Sequence, residues 1–543
     1  MGAITVKQGH CKNCYACIRN CQVKATSINM GQATVIDEDC LACGQCLAVC
    51  PQGAREIGSD FAALRNLLAG PAPVWASLAP SAAAGPYSLA EWEAGLKGLG
   101  FAGVSLTAWG AVAATASYVA AADLDGFALT TACPAAVKLV TRYFPRLTRH
   151  LARTASPMVN HGAWLKEQYG ARVVFIGPCA AKKDEAAASS EIDLALTFTE
   201  AINMMGLPER EPELLGAAQG FGAQGFARFP VPGSLSAHTG QPVLAVDGLD
   251  ELIPFLTRLQ EGRVRPHGIV EMSACRGSCL GGPVAFARES SLAERREALM
   301  SLQENDLQAP AARVASHRGV RGAPVEASAA AIEEVLRALG KTEPEQEYNC
   351  GACGYHSCRE KAAAVVNGRA ELQMCLPYMR ARAESMANLV LAATPSAVVV
   401  VDKEFKVREW NDAAERMCGV TADAARGRAV SQWLPEVDFA RALHGENLPQ
   451  AERIVLKSGK VAEVTYSVVR EGELVMGVYS DITELEAREA AFKAVRAETL
   501  EKAQAVINKQ MRVAQEIASL LGETTAESKM LLLKLMKVVD NHE

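Results

Sequence analysis

The sequence has no excess of positive charge. Its 55 Lys and Arg residues are outnumbered by 61 Asp and Glu residues, which gives a formal net charge of −6. A protein that binds nucleic acid usually presents a basic field that attracts phosphate. We therefore expect no nucleic-acid partner.

The sequence also lacks the start of a secreted protein. The segment from Met1 to Lys7 has neither a basic beginning nor an apolar core, as a signal peptide would. Secreted disulfide proteins are in addition short, whereas this chain has 543 residues. We expect a cytoplasmic protein whose thiols are reduced and bind metal.

No charged residue occurs from Phe101 to Ala122, a stretch long enough to be considered as a membrane span. It consists mostly of Ala, Gly, Ser, Thr and Val, which favour insertion only weakly. The stretch therefore predicts a buried strand and helix inside a domain, and no membrane partner.

Cysteine, by contrast, is abundant. Sixteen of the 17 cysteines fall into spaced motifs, and only Cys418 is left over, for which we predict a plain buried thiol,. The chain is 49% hydrophobic and 21% charged, a globular composition. At about 150 residues per domain its length predicts several domains, each with its own core.

The first cysteines form two runs with one spacing, over residues 1–56. In bacterial ferredoxins with this spacing, three thiolates of each run hold one 4Fe–4S cluster and the fourth holds the other. The spacing predicts one set made of Cys11, Cys14, Cys17 and Cys50, and a second made of Cys21, Cys40, Cys43 and Cys46. Zinc sites are the alternative. A two-cluster ferredoxin-like domain would conduct electrons.

Residues 57–325 alternate short apolar runs with helical stretches, which predicts an α/β domain. Buried strands are predicted at 74–78 and 171–176, and the glycine-rich segment from Gly220 to Gly225 is predicted to be a loop. Cys179 follows the second strand, where open α/β sheets keep their sites.

Three segments of this domain carry its other cysteines. They are Thr130-Thr131-Ala132-Cys133-Pro134, Ile176-Gly177-Pro178-Cys179-Ala180-Ala181-Lys182-Lys183-Asp184-Glu185 and Val270-Glu271-Met272-Ser273-Ala274-Cys275-Arg276-Gly277-Ser278-Cys279-Leu280-Gly281-Gly282. Together they resemble the three signature motifs of the FeFe-hydrogenases. The resemblance implies a hydrogen:acceptor oxidoreductase acting on H2 and protons.

The resemblance also implies roles for individual residues. Cys133, Cys179, Cys275 and Cys279 would ligate one 4Fe–4S cluster, and Cys279 would bridge it to a two-iron unit with CO, cyanide and an azadithiolate, together the H-cluster. Lys182 would donate hydrogen bonds to cyanide, with Glu185 as an ion-pair partner, whereas Lys183 is expected at the surface. The remaining pocket-lining positions would be Pro80, Ser81, Ala132, Ser156 and Ser273.

The chain departs from the family at its proton path. Ala132 stands where a proton-carrying cysteine is usual, Ala152 where a relay serine is usual, and the stretch from Phe101 to Ala122 has no carboxylate. Gly177 and Ser273 replace methionines that flank the two-iron unit, and Met158 replaces a cyanide-binding glutamine. These departures predict slow catalysis or a different proton route.

A third cysteine set lies in residues 340–380. Its members are Cys350, Cys353, Cys358 and Cys375. They resemble a small 4Fe–4S domain of several redox enzymes, with a helix over 359–370 before the last ligand. A four-cysteine zinc module is the alternative.

The rest of the chain has no metal motif. The segments 397–402 and 407–414 are predicted to form a strand pair that leads into helices. Three further strands are predicted at 454–457, 461–468 and 474–481, with turns at Ser458-Gly459 and Glu471-Gly472,. In this order, residues 384–487 resemble a PAS sensor domain. Residues 488–543 are predicted to be helical.

The C-terminal helix carries an apolar seam at three- and four-residue steps. Its members are Leu500, Ala503, Ile507, Met511, Ala514, Ile517 and Leu521. Gly522 would end this helix, and Thr524 with Glu527 would cap another. The seam predicts a signalling helix that makes a homodimer; a helical hairpin on its own domain is the alternative.

The whole pattern predicts a multidomain α/β (α+β) protein and resembles the sensory, regulatory branch of the FeFe-hydrogenases. The first hypothesis is a hydrogen sensor with three accessory 4Fe–4S clusters, a ferredoxin-like electron partner and a separate signalling partner such as a kinase or phosphatase. The second is a non-catalytic iron–sulfur redox sensor or scaffold without the two-iron unit. The third is an ordinary catabolic hydrogenase, against which the altered proton path argues.

Overall fold

The computed structural model describes residues 2–7, 9–208, 226–285, 290–302, 304, 311–319, 327–444, 451–470, 473–521 and 526–540. The chain divides into two compact units, Met1–Met379 and Arg380–Glu543, and each is described by itself. The loop predicted from Gly220 to Gly225 lies outside the described residues.

Short elements at the start of the chain surround the first two cysteine runs. They are β1 (Ile4–Val6), α1 (Ala16–Asn20), β2 (Thr26–Asn29), β3 (Gln32–Val35), α2 (Gln45–Ala48) and β4 (Arg55–Ile57). β1 pairs with β4 and β2 with β3, both antiparallel. Each helix begins after a left-handed residue, Tyr15 (φ 58°) or Gly44 (φ 81°), so the chain turns sharply between neighbouring cysteines.

The next part of this unit is built from two parallel sheets with helices around them. Its elements are α3 (Phe61–Leu68), β5 (Val74–Leu78), α4 (Leu89–Gly98), β6 (Gly103–Leu106), α5 (Ala108–Asp125), β7 (Phe127–Leu129), α6 (Pro134–Tyr143), α7 (Pro157–Tyr169), β8 (Arg172–Gly177), α8 (Ala181–Ala187), β9 (Leu194–Thr197), α9 (Phe198–Met205), α10 (Ser236–Thr239), β10 (Val243–Asp247), α11 (Leu249–Gln260), β11 (Gly268–Ser273) and α12 (Leu292–Met300). The strand orders are β6-β5-β8-β9 and β10-β11-β7. The predicted α/β class is confirmed.

The uncharged stretch forms β6 and most of α5, as predicted, and both are largely buried. α5 packs so closely on α7 that a Cβ at Gly110 would lie 1.9 Å from the carbonyl oxygen of Pro157. Small residues are therefore required by the helix contact. In the described part of the chain, no helix has the length and apolar character needed to cross a membrane.

The third cysteine set lies among α13 (Ala329–Ala338), α14 (Cys358–Val366) and α15 (Leu376–Ala393). The helix predicted over 359–370 is longer than the observed one. α14 ends at Val366, and Gly368, with a φ of +68°, then turns the chain. This module packs on α1: Arg19 donates to the carbonyl oxygen of Ala352 at 3.2 Å. Gly354 lies against Ile18, with 2.8 Å between a Cβ at Gly354 and Cγ2 of Ile18.

The second unit contains a five-stranded antiparallel sheet in the order β13-β12-β16-β15-β14. Its elements are β12 (Ala397–Asp402), β13 (Val407–Trp410), α16 (Asp412–Cys418), α17 (Ala422–Ala425), α18 (Glu436–Leu443), β14 (Glu452–Val455), β15 (Val461–Arg470), β16 (Leu474–Asp481), α19 (Thr483–Leu521) and α20 (Ala526–Asp540). Helices and sheet enclose an apolar core, against which Cys418 packs.

The C-terminal helix α19 is long and presents its apolar seam at the surface. Leu500 and Ile517 are exposed, and Ile507 and Met511 are partly exposed. The predicted turn at Glu471-Gly472 and the predicted helix end and cap at Gly522 and Thr524 lie outside the described residues; α20 begins at Ala526.

Candidate iron–sulfur centres

The four cysteines of the central domain lie around one cavity, although they are far apart in the sequence. Cys133 follows β7, Cys179 follows β8, and Cys275 and Cys279 follow β11. All four line this cavity, together with Pro80, Ser81, Ala132, Met158, Lys182, Glu271 and Ser273. The carboxyl ends of parallel strands therefore bring the predicted ligands together.

Hydroxyl groups fix the loop that carries Cys133. Thr130 accepts a hydrogen bond of 3.0 Å at Oγ1 from the backbone N–H of Met272, which ties this loop to β11. The Thr131 hydroxyl donates to the carbonyl oxygen of Thr154 at 3.0 Å. The loop is held from both sides, so the position of Cys133 is set by buried bonds.

The loop between Cys275 and Cys279 is tight because of its glycines. A Cβ at Gly281 would lie 1.7 Å from the carbonyl oxygen of Arg276. Gly277 has a φ of +71°, and its N–H donates to Asp247 at 2.5 Å. Glycine adopts this left-handed φ without strain, and both Cys275 and Cys279 line the cavity.

Lys182 is buried at the wall of the cavity. Its Nζ donates to Ser156 Oγ at 3.0 Å and to a Glu185 carboxylate oxygen at 2.7 Å. Ser156 also caps α7, since its hydroxyl accepts from the backbone N–H of Val159. The side chains singled out in the sequence thus form one network beside the cysteines.

Lys183 was expected at the surface, and this expectation was wrong. Its Nζ lies 2.6 Å from an Asp60 carboxylate oxygen and 2.9 Å from one of Glu200, and its side chain is only 8% exposed. Two carboxylates from different elements can satisfy a buried ammonium. Lys183 therefore ties α8 to α9 and to the segment before α3.

The pKa values of three thiols that line the cavity are raised. Burial raises the pKa of Cys179 to about 11 and that of Cys279 to about 12, with neighbouring thiols adding to the shift. The pKa of Cys275 is raised well above its usual value for the same reasons. Only a cationic partner such as a metal centre would stabilise four thiolates there.

One hydroxyl in this cavity has no partner. Ser81 is buried, and in the described part of the chain its Oγ has no hydrogen-bond partner. An unsatisfied buried hydroxyl is costly, and a polar ligand in the cavity would satisfy it. The four thiols, Ser81 and Lys182 therefore fit the H-cluster that the motifs imply.

The residues that depart from the family are also placed by the structure. Ala132, Met158 and Ser273 line the cavity, whereas Ala152 is buried in a different apolar cluster. Gly177 lies under the Phe175 ring, because a Cβ there would be 2.5 Å from that ring.

Glu271 was missed by the sequence analysis as a functional residue. It lies on β11 and is the carboxylate among the described lining residues of the cavity. Burial raises its pKa to about 7, a hydrogen bond from the Gly233 N–H opposes this, and Asp247 adds to it. Glu271 belongs to no motif with a defined spacing. The one signal in the sequence is that it lies between Val270 and Met272 in an apolar strand, which could have suggested a buried carboxylate.

The thiols of the second ferredoxin-like set lie near one another. Burial raises the pKa of Cys40, Cys43 and Cys46, and Cys21 adds to each shift. Cys17 of the first set also adds to the shift of Cys46. Cys43 in turn contributes to the raised pKa of Cys275 at the central cavity. This set therefore lies next to the central cysteines.

Members of the first set lie on the outer side. Cys11 and Cys17 pack with Ile18 in one apolar cluster that also includes Cys353 of the third set. Arg55 donates to Sγ of Cys17 at 3.2 Å, and Cys14 is exposed. The sulfur of Cys50 accepts a hydrogen bond of 3.3 Å from the backbone N–H of Ala54.

The third set lines a cavity of its own. All four of its cysteines contribute to it: Cys350, Cys353, Cys358 and Cys375. Among the described residues of the chain, no three Cys, His, Asp or Glu side chains are close enough to hold a single ion.

Comparison with protein families gives four matches. The iron only hydrogenase large subunit, C-terminal domain, matches residues 72–225. The 4Fe-4S binding domain matches 33–56, the Fe-S cluster family 346–377 and the PAS fold 391–487. No curated protein matches the chain.

Solved structures similar to the chain include FeFe-hydrogenases and PAS domains. A structure on stepwise H-cluster assembly in an FeFe-hydrogenase is 19% identical, covers 45% of this chain and 88% of its own, and has a TM-score of 0.34. A variant FeFe-hydrogenase from Chlamydomonas reinhardtii is 17% identical, with 46% and 91% covered and a TM-score of 0.35. The PAS domain of an HTR-like protein from Haloarcula marismortui is 16% identical, with 19% and 95% covered and a TM-score of 0.17.

The cysteine sites and the family matches together indicate a multidomain iron–sulfur protein. Its parts are a ferredoxin-type segment, a hydrogenase-type α/β domain, a small Fe–S domain and a PAS domain. The resemblance to the FeFe-hydrogenases that the three motifs indicated is confirmed.

Proposed function

We propose that the protein is a sensory FeFe-hydrogenase that binds H2 at an H-cluster and oxidises it slowly and reversibly. Electrons would pass through three accessory 4Fe–4S clusters, and the PAS domain would relay the redox state. The observation that carries this proposal is the meeting of Cys133, Cys179, Cys275 and Cys279 around one cavity with Lys182 in its wall.

When bound, the H-cluster would supply the iron centre at which H2 is separated into protons and electrons. The protein's own residues hold and orient it. Lys182 offers an ammonium with three donors, and its bonds to Ser156 and Glu185 fix its direction,. Ser81 offers a buried hydroxyl, and most of the cavity wall is apolar.

Slow turnover is supported by the residues around the cavity. Ala132 has no group that could carry a proton. Glu271 is instead a carboxylate at the cavity, and with a pKa of about 7 it can hold or release a proton near neutral pH,. A single buried carboxylate without a described chain of partners is a poor replacement for a complete relay.

The second cysteine set lies beside the central one, through Cys43 and Cys275, and the first set adjoins the third through Ile18. This order supports conduction from the cavity through the ferredoxin-type segment to the small Fe–S domain. A ferredoxin-like carrier is the proposed electron partner.

Output would need another protein. The exposed seam on α19, with Leu500 and Ile517 at the surface, supports a homodimer formed by this helix. A separate kinase or phosphatase is the proposed signalling partner.

Infrared spectroscopy of the matured protein tests the central claim. Bands from iron-bound CO and cyanide, which shift when H2 replaces argon, are the expected result. A matched Cys279→Ser variant should lack these bands while it keeps the accessory clusters. Their absence from correctly matured wild-type protein would eliminate the proposal.

A non-catalytic iron–sulfur sensor without the two-iron unit is the second candidate. The changed surroundings at Met158, Gly177 and Ser273 favour it. At four irons per cubane, it predicts roughly 16 iron atoms per chain, against roughly 18 for the hydrogenase. It also predicts no hydrogen uptake with an artificial electron acceptor.

A further inference from the structure

Two lysines are buried beside the third cysteine set. Lys361 on α14 is 2% exposed, and Lys341 before it in the chain is 6% exposed. Lysine is almost never buried so completely without a partner. Both line the cavity formed by Cys350, Cys353, Cys358 and Cys375.

The partners of these lysines are uncharged: they are backbone carbonyl groups and, for Lys341, also the ring of Tyr348, whose centroid lies 4.7 Å from Nζ. Lys361 Nζ donates to the carbonyl oxygen of Leu372 at 3.3 Å, and Lys341 Nζ donates to that of Gln346 at 2.6 Å. In the part of the chain that the structure describes, neither forms a salt bridge with a carboxylate. Their buried charge is therefore not compensated by an acidic side chain.

The groups that do face Lys361 are thiols. Burial lowers the pKa of its ammonium, while Cys375, Cys353 and Cys358 act to raise it. A buried cation is costly unless a negative partner lies close by. A 4Fe–4S cluster held by four thiolates is net negative, so it would provide the missing partner for both lysines.

The ferredoxin-type sets have less buried positive charge for each cluster. Arg55 donates to the sulfur of Cys17 in the first set at 3.2 Å. It also opposes the raised pKa of Cys46 in the second set, so the two sets share this one cation. Lys138 opposes the raised pKa of Cys40 in the second set, but its own charge is paired with Asp184 at 2.5 Å. Lys24 is half-buried and its charge is screened by solvent,.

The third set also occupies a particular place in the chain. Cys353 shares an apolar cluster with Cys17 of the first set. Cys375 comes directly before α15, and the N–H of Met379 in that helix donates to its carbonyl oxygen at 2.9 Å. The third set is therefore the last of the cysteine sets in the chain and directly precedes α15.

Positive charge near an iron–sulfur cluster stabilises its reduced form, because net charge is one determinant of the reduction potential. We propose that Lys341 and Lys361 make the third cysteine set the terminal electron store of this protein. One electron would leave a reduced cluster at the first set and reduce the oxidised cluster at the third, without proton transfer or bond change. The inference needs no reaction with hydrogen.

A redox titration of the full-length, cluster-loaded protein tests this inference. Dithionite with mediators would supply the electrons, and electron paramagnetic resonance would follow each cluster. The signal that a Cys350→Ser variant loses identifies the third cluster. In the wild type this signal should appear first as the potential is lowered, before the signals of the two ferredoxin-type clusters.

The matched variants separate charge from packing. Lys361→Met removes the charge at similar length and should weaken reduction of the third cluster at least tenfold, which is about 59 mV for one electron. Lys341→Met should shift it in the same direction, and Lys361→Arg should restore most of the wild-type potential. Arg380→Gln removes an exposed charge from α15, where Arg380 pairs with the exposed Glu384, and should leave the potential unchanged.

Two outcomes would overturn the inference. One is a wild-type third cluster that is reduced after the ferredoxin-type clusters. The other is that Lys361→Met shifts the potential no more than Arg380→Gln does. If the Lys361→Met variant loses the third cluster, the inference is still tested in two ways: by the order in which the wild-type clusters are reduced, and by the potential of the third cluster in Lys341→Met. Infrared bands of the central site play no part in this test, so its failure is distinct from failure of the hydrogenase proposal.

Discussion

Glu271 accepts a hydrogen bond of 2.9 Å from the backbone N–H of Gly233, at the wall of the cavity that the four central cysteines line. This bond stabilises the carboxylate, yet burial is the larger influence and raises the pKa to about 7,. A carboxyl group that is half protonated near neutral pH therefore faces the proposed site of hydrogen chemistry.

The protonation of Glu271 should make the wild type respond to pH. Because its folded-state pKa lies above its usual value of 4.5, its contribution to stability is complete below about pH 4.5 and is lost as pH rises through about 7. Difference infrared spectra between about pH 6 and pH 8 should show a protonated carboxyl band that Glu271→Gln removes.

Activity gives a second measurement on the same variant. If Glu271 carries protons, Glu271→Gln should lower the rate of H2–D2O exchange on the order of 10²-fold or more. Asp250→Asn, which changes an exposed carboxylate paired with Arg276, is the control. Equal exchange rates in both variants would show that protons move by another route.

Ala132→Cys would place a thiol at the cavity wall, next to Cys133. A cysteine can donate and accept a proton, which alanine cannot. We expect faster proton exchange with the central site, measured as a changed solvent isotope effect on H2 oxidation. An ordinary catabolic hydrogenase with a working relay would instead show little change, so an unaltered isotope effect would contradict the sensory proposal.

Much of this arrangement could be predicted from local sequence. Cysteine spacing indicated which thiols group together in the second and third sets, and the apolar run before Gly177 indicated β8 and the position of Cys179. These features depend on neighbours within a few residues, which sequence patterns record.

The parts that were missed depend on contacts between distant elements. Lys183 looked like a surface lysine because its neighbours are polar, but Asp60 and Glu200 approach it from other elements. Lys361 is followed by three alanines on α14, and only the fold places it at the same cavity as Cys375. No local pattern could show that either ammonium is buried, since burial is decided by tertiary packing.

Gly110 tests why the uncharged stretch is made of small residues. Gly110→Ala would force α5 away from α7, because its Cβ would lie 1.9 Å from the Pro157 carbonyl oxygen. We expect destabilisation by about 3 kcal/mol or more, seen as a lower thermal transition and lost iron. Gly98→Ala, at the end of α4 with open space around it, should instead be neutral or slightly stabilising. Equal effects in the two variants would contradict the close helix contact.

Gly354 tests the contact between the small Fe–S module and the ferredoxin-type segment. It has a φ of +93°, and a Cβ there would lie 2.8 Å from Ile18 Cγ2 and 2.9 Å from the Arg19 nitrogen. Gly354→Ala therefore combines backbone strain with a clash across the contact. Gly368→Ala in the same module has a similar φ, +68°, but nothing within 4 Å of its Cβ, so it carries the strain alone, about 1 kcal/mol.

The comparison of these two variants isolates the clash. Gly354→Ala should expose the module to limited proteolysis and slow electron transfer from the first set to the third, because the Ile18 contact joins them. Gly368→Ala should keep both properties near wild type, with only a small loss of thermal stability. Should both variants behave alike, the close approach of Gly354 to α1 would not be what couples the two segments, and the electron route through Ile18 would have to be abandoned.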